Sequence, residues 1–140
     1  MYKLASRNPL FVTLKQPRNT KSTLYRIYNF LVIVPAMVTQ LWFFQMDLTS
    51  FVDKRGSECL NESDDHPYAH CLTPGGGYLE SDCDEQLILA LTFNQSMKIH
   101  SLKIKAPSDK GPKTVRIFQN QPNTLDFDKA DSMVSVQDLE

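Results

Sequence analysis

The side chains best suited to chemistry are three cysteines, Cys59, Cys71 and Cys83, and three histidines, His66, His70 and His100. The thiols stand twelve residues apart with no C-x-x-C pair, which matches neither a zinc ribbon nor a thioredoxin-type redox centre. An odd number also fits a disulfide framework poorly, so reduced thiols are the expectation. His66 or His70 would have to complete any Cys/His metal site, yet structural zinc ligands usually pair two to four residues apart. Neighbouring carboxylates invite a general acid–base or Ser-His-Asp proposal for the histidines. No G-x-S-x-G nucleophile motif is present to anchor it. The sequence therefore assigns no catalytic residue, no cofactor-binding residue and no metal ligand, and an enzyme is not expected.

Other features that resemble sites have simpler explanations. Thr73-Pro-Gly-Gly-Gly77 lacks the Lys-Ser/Thr of a phosphate loop, and Glu80, Asp82, Asp84 and Glu85 nearby would repel an anion. Lys98, Lys103, Lys105, Lys110, Lys113 and Arg116 form a candidate basic face with only Asp109 among them. Nucleic-acid binding would add interleaved aromatics, and only Phe118 is close, so a solvated strand face is the better reading. Asn61-Glu-Ser and Asn94-Gln-Ser are formal glycosylation acceptors, relevant only to an exported chain.

The elements that would position these residues lie in a chain of 140 residues, 41% hydrophobic and 22% charged, enough for one domain. Its net charge of -1 hides a division: residues 1–46 carry six bases and no acid, and the remainder is strongly acidic. A basic arm on an acidic domain suggests targeting or membrane contact, or two unrelated sequences joined end to end. Leu24–Phe44 is the apolar part of that arm and is a candidate helix or membrane segment. Arg26, Asn29, Thr39, Gln40 and Pro35 leave an uninterrupted apolar core of only nine residues, Phe30–Val38, which is short for a span. Basic residues before the run and Trp42 near its end fit an anchor, but no small-residue cleavage pattern follows the apolar core.

From Asp47 to Glu85 the chain is acidic, punctuated by His66-Pro67 and the Gly triplet, and reads as loop. Gln86–Phe93 is a near-continuous apolar run of strand length, expected as a central strand buried on both faces. Met97–Lys105 alternates, with its phase changing near His100-Ser101, which suggests a β-bulge. Lys113–Gln119 makes a third strand with Val115 and Ile117 on one face. Leu125–Asp131 is expected to add a helical turn, and Val134 and Val136 open another extended segment. Such closely spaced strands imply an antiparallel, mainly β design.

Glu58-Cys-Leu-Asn-Glu-Ser63, Tyr78-Leu-Glu-Ser-Asp-Cys-Asp-Glu-Gln-Leu87 and Gly111-Pro-Lys-Thr-Val-Arg-Ile-Phe118 resemble the PITH domain. This is the proteasome-interacting module that follows a thioredoxin domain in thioredoxin-like proteins. The resemblance runs from Met46 to Glu140. It implies a jelly-roll-like antiparallel β-sandwich, cytoplasmic and nuclear residence, and docking on the 26S proteasome. Redox chemistry would belong to the thioredoxin domain, whose C-G-P-C type motif is absent here. The residues that would contact the proteasome are not identifiable from one sequence, because interface affinity rests on a few anchors in the folded surface.

Residues 1–45 resemble nothing in that family. The expected organisation is therefore a non-family basic and hydrophobic extension, 1–45, joined to the N-terminal part of a PITH domain, 46–140. Phe43-Phe44-Gln45 can be encoded by a splice-acceptor-like sequence, so the extension is expected to derive from upstream or intronic sequence, with incidental hydrophobicity. A jelly roll pairs strands from both ends of its chain, so a truncated one should expose unpaired edges. Two alternatives stand beside a non-catalytic interaction module: a membrane-anchored or exported variant using residues 24–44, and a non-functional product of a partial transcript.

Overall fold

The computed structural model describes residues 2–4, 9–16, 23–24, 26–32, 45–121 and 123–140. In chain order these form β1 (Tyr2–Leu4), β2 (Leu10–Lys15), β3 (Thr23–Leu24), β4 (Arg26–Val32), β5 (Gln45–Asp47), a 3-10 turn (Thr49–Phe51) and β6 (Glu58–Leu60). There follow α1 (Tyr68–Leu72), β7 (Leu79–Glu80), β8 (Gln86–Leu91), β9 (Met97–Lys105), β10 (Thr114–Gln119), α2 (Phe127–Ser132) and β11 (Gln137–Leu139). Every pairing among them is antiparallel. The mainly β class read from the sequence is the observed one.

The five-stranded sheet runs β11-β10-β2-β8-β6, and a four-stranded sheet runs β1-β9-β4-β5. Strand periodicity sends alternate residues of the larger sheet into two separate cores. Leu10, Val12, Leu14, Leu87, Leu89, Leu91, Val115 and Ile117 face a cluster that also holds Ile99 of β9, with Leu102 and Ile104 packed against it. Phe11, Ile88, Ala90 and Phe118 face the other way, onto Leu125 and Ala130 of the α2 segment. One face of the larger sheet is thus covered by the second sheet and the other by a helix. This explains why Gln86–Leu91 is apolar without alternation: after Gln86 every residue of β8 is buried.

The bulge expected near His100-Ser101 is present. Phe30 pairs with Ser101 while Leu31 pairs with Ile99, so His100 is the extra residue on β9. The helical turn is also present, extended to Ser132, with the Asp126 carboxylate accepting from the Lys129 N–H at 2.8 Å as its cap. That hydrogen bond, with help from the Lys129 side chain, holds the Asp126 carboxyl below its ordinary value.

Three expectations change. Residues 47–85 are not merely loop: β6, α1 and β7 lie within them, and Leu48, Cys71, Leu72 and Leu79 enter the main core. The helical reading of 24–44 fails where the chain is described, because Leu24 ends a strand and Arg26–Val32 pairs with both β9 and β5. Residues 33–44, with Pro35 and Trp42, lie outside the described residues. Among the described residues no helix is long and apolar enough to cross a membrane.

The third change concerns the extension. Leu10–Lys15 forms the middle strand of the larger sheet, in unbroken six-residue register with β10 on one side and β8 on the other. Its side chains Leu10, Phe11, Val12 and Leu14 are each at most 2% exposed. Their burial contributes about 1.5–3 kcal/mol apiece, so the apolar character of this stretch is a structural requirement. The backbone groups that a truncated sheet would leave open along β8 and β10 are paired by it.

Burial on both faces of β8 has a measurable consequence. Leu89→Ala and Ile88→Ala remove side chains from opposite cores, and each is expected to cost about 2–5 kcal/mol in urea denaturation. A strand with one wet face would show that loss at only one of the two positions.

Candidate interaction surface

The acidic segment is organised around Asn61, which follows β6 in a left-handed conformation with φ of 64°. Asparagine tolerates this region better than most residues because its short polar side chain can bond locally. Its Nδ2 donates to Asp84 Oδ1 and to the Gln86 carbonyl, both at 2.7 Å, and its Oδ1 accepts from the Cys83 N–H at 3.2 Å. Asp84 Oδ1 also accepts from the Gln86 N–H at 2.9 Å. One side chain thereby ties the end of β6 to the start of β8 across more than twenty residues. The same nitrogen would carry a glycan in the Asn61-Glu-Ser acceptor, and it is committed to these bonds. Asn94 of the second acceptor is exposed.

Tyr68 and Glu62 tie α1 to the chain on either side of β6. Glu62 Oε2 accepts from the Tyr68 N–H at 2.6 Å, satisfying an orphan donor of the first helical turn. Tyr68 Oη donates toward the carbonyls of Lys54 at 3.0 Å and Ser57 at 3.2 Å. Burial pushes the Glu62 carboxyl up, Asp64 adds to the rise, and the Tyr68 bond opposes it. Tyr68 is raised as well, first by burial and then by the Glu62 charge.

The thiols do not converge on a site. Cys71 is fully buried in α1 and donates to the Tyr68 carbonyl at 3.0 Å, Cys59 is half-buried on β6, and Cys83 is exposed beside Asp82. Burial drives the Cys71 thiol up to about 12 and the Cys59 thiol higher still, with Glu62 adding to both. A redox nucleophile requires the opposite, an electropositive setting that favours thiolate. Among the described residues no cluster of three or more His, Cys, Asp or Glu is arranged to hold a metal ion. His66 stacks on Tyr78 with ring centroids 3.9 Å apart. His70 Nδ1 is enclosed without a hydrogen-bond partner, so it lacks the carboxylate contact that orients a catalytic imidazole.

The expected basic face is divided between two sheets. Lys103 and Lys105 belong to β9, and Arg116 belongs to β10 in the other sheet. Lys110 lies 4.0 Å from Glu80. Arg116 turns away from solvent: its guanidinium donates to the carbonyls of Ala130, Asp131 (3.4 Å) and Met133 (2.8 Å), and its Nε to Asp138 Oδ1 at 3.1 Å. It also lies 5.4 Å from the Phe118 ring centroid. A planar fork of donors suits the orphan carbonyls at a helix C-terminus, so Arg116 holds α2 and β11 onto β10. Ser135 and Arg116 hold the Asp138 carboxyl below its ordinary value. In the sequence Arg116 groups with the lysines, because only tertiary structure reveals which carbonyls it reaches. Beyond this latch, among the described residues, the exposed large apolar side chains are Val134, Val136 and Leu139, flanking or within edge strand β11.

The model of the PITH domain matches residues 43–140. The chain belongs to the PITH domain family. It is 39% identical over 87 residues to Thioredoxin-like protein 1 of Schizosaccharomyces pombe, covering 59% of this chain and 30% of that protein. It is 32% identical over 93 residues to PITH domain-containing protein CG6153 of Drosophila melanogaster, covering 61% of this chain and 44% of that one. PITH domain-containing protein 1 of Danio rerio is 30% identical over 91 residues, which are 60% of this chain and 43% of its relative. The chain thus spans less than half the length of each of these relatives. No solved structure matches it significantly.

Within a PITH domain the three motifs have architectural work. Asn61 joins Glu58–Ser63 to Tyr78–Leu87, and Arg116 and Phe118 of Gly111–Phe118 seat the helix and last strand. Their polar side chains bond main-chain groups of neighbouring elements and so shape the surface.

The thiol environments predict graded labelling. In native protein at neutral pH a maleimide should react quickly at Cys83 and leave Cys59 and Cys71 intact until the fold is unfolded. A thiol raised to about 12 holds roughly a thousandfold less thiolate than an ordinary cysteine, so Cys71 labelling should climb only in strong alkali. Glu62 gives a second check. Its carboxyl is raised, so its stabilising contribution is present at low pH and lost as pH rises through that raised value. Glu62→Gln should melt at or above the parent temperature at pH 7 and converge with it in acid. Glu62→Ala leaves the Tyr68 N–H without its partner and should lose about 1–2 kcal/mol.

Proposed function

We propose that this chain is a non-catalytic protein-interaction module that docks on the 26S proteasome in the cytoplasm and nucleus. Family membership over residues 43–140 carries the reading. A β-sandwich whose polar motif residues are committed to internal hydrogen bonds presents a rigid surface, as a docking module requires. Burial keeps the Cys59 and Cys71 thiols protonated, which argues against disulfide exchange through either, and the similarity to a thioredoxin-like protein comes without a C-x-x-C centre. Anchorage on residues 24–44 draws no support from the described strands there.

The test uses the full chain immobilised through a terminal tag and purified 26S proteasome. Proteasome peptidase activity should be retained by the native chain and absent from a bait-free control and from heat-unfolded chain. Retention no greater than that of the control would overturn the reading. An insulin-reduction assay run in parallel should show no acceleration over dithiothreitol alone, and clear acceleration would assign the chain redox chemistry.

A further inference from the structure

The larger sheet is continuous only because of a strand from outside the family match. β8 and β10 do not pair with each other; each pairs with β2, which occupies the space between them. The match begins at residue 43, and β2 ends at Lys15. Without β2, the family portion of this sheet falls into two pairs, β11-β10 and β8-β6, each with an open edge toward the gap.

The fit of β2 in that gap is complete along its length. Its six residues are in register with Thr114–Gln119 and with Gln86–Leu91. The pairing runs past the strand at both partners: the Gln16 N–H donates to the Glu85 carbonyl at 3.1 Å, and the Lys113 N–H donates to the Lys15 carbonyl at 2.9 Å. Leu10, Val12 and Leu14 join one core while Phe11 joins the other, so the slot selects side chains on both faces. Main-chain pairing on two edges with side-chain pockets at alternate positions is the chemistry of strand addition.

We propose that the β8–β10 slot is a strand-acceptor site, and that Leu10–Lys15 is its ligand, donated in cis by the non-family extension. The site takes an extended segment antiparallel to both neighbours, apolar at its first, second, third and fifth positions and polar at its fourth and sixth. A PITH domain that lacks this extension must fill the slot from another part of its chain. The inference is independent of proteasome docking, since it concerns how the sheet is completed.

The test keeps the full chain and inserts a protease recognition sequence after Asn19, so that cleavage leaves the donor strand held only by its non-covalent contacts. After cutting, the N-terminal fragment should co-elute with the remainder on size exclusion. Incubation with excess fluorescent peptide of residues 9–16 should displace it with stoichiometric uptake. The same peptide carrying Val12→Pro loses a ladder donor in a central strand and should be taken up at least about tenfold less. Two results would overturn the proposal. One is departure of the fragment with circular dichroism and melting midpoint unchanged; the other is equal uptake of the two peptides, no uptake of either included.

Discussion

A central β-strand needs partners for its backbone on two edges and for its side chains on two faces, and β2 meets all four demands at once. Its N–H and C=O groups alternate between β8 and β10, and its side chains alternate between the inter-sheet core and the core under α2. Every other covering element depends on that continuity. The second sheet has a flat apolar surface to pack on only if β10 and β8 are held in one plane, and Leu125 and Ala130 bridge Phe118 and Ile88 across the same seam.

The outer parts of the molecule are secured by polar side chains placed where backbone groups run out of ladder partners. Asn61 serves the paired strands β6 and β8, Glu62 and Tyr68 serve α1, and Arg116 serves the last turn of α2. Asn61, Tyr68 and Arg116 bond main-chain atoms far away in sequence, so they carry long-range order that hydrophobic contacts alone do not specify. The acidity of residues 47–85 follows the same logic. Carboxylates such as Asp47, Asp53, Asp84 and Glu62 accept from local backbone donors, while Glu58, Asp64 and Asp65 are exposed, where charge is cheap.

Periodicity made much of the family portion legible. The unbroken apolar run of β8, the phase slip at His100, the two-residue alternation of Val115 and Ile117, and the turn opened by Asp126 are all local signals with local causes. Basic residues were harder to place. Lys103 and Arg116 have the same sign and similar spacing from apolar neighbours, yet one extends into solvent and the other binds helix carbonyls, a choice made by elements distant in the chain.

Sequence by itself determined the mainly β class, the positions of β8, β9, β10 and α2, and membership in the PITH family through motifs now seen to be structural. These follow from backbone and side-chain preferences acting over a few residues. Only tertiary structure decided that Leu10–Lys15 belongs inside the sheet and that Arg26–Val32 is strand. Strand pairing is non-local: a short apolar stretch satisfies a helix, a membrane or a sheet equally well until particular edges are there to receive it.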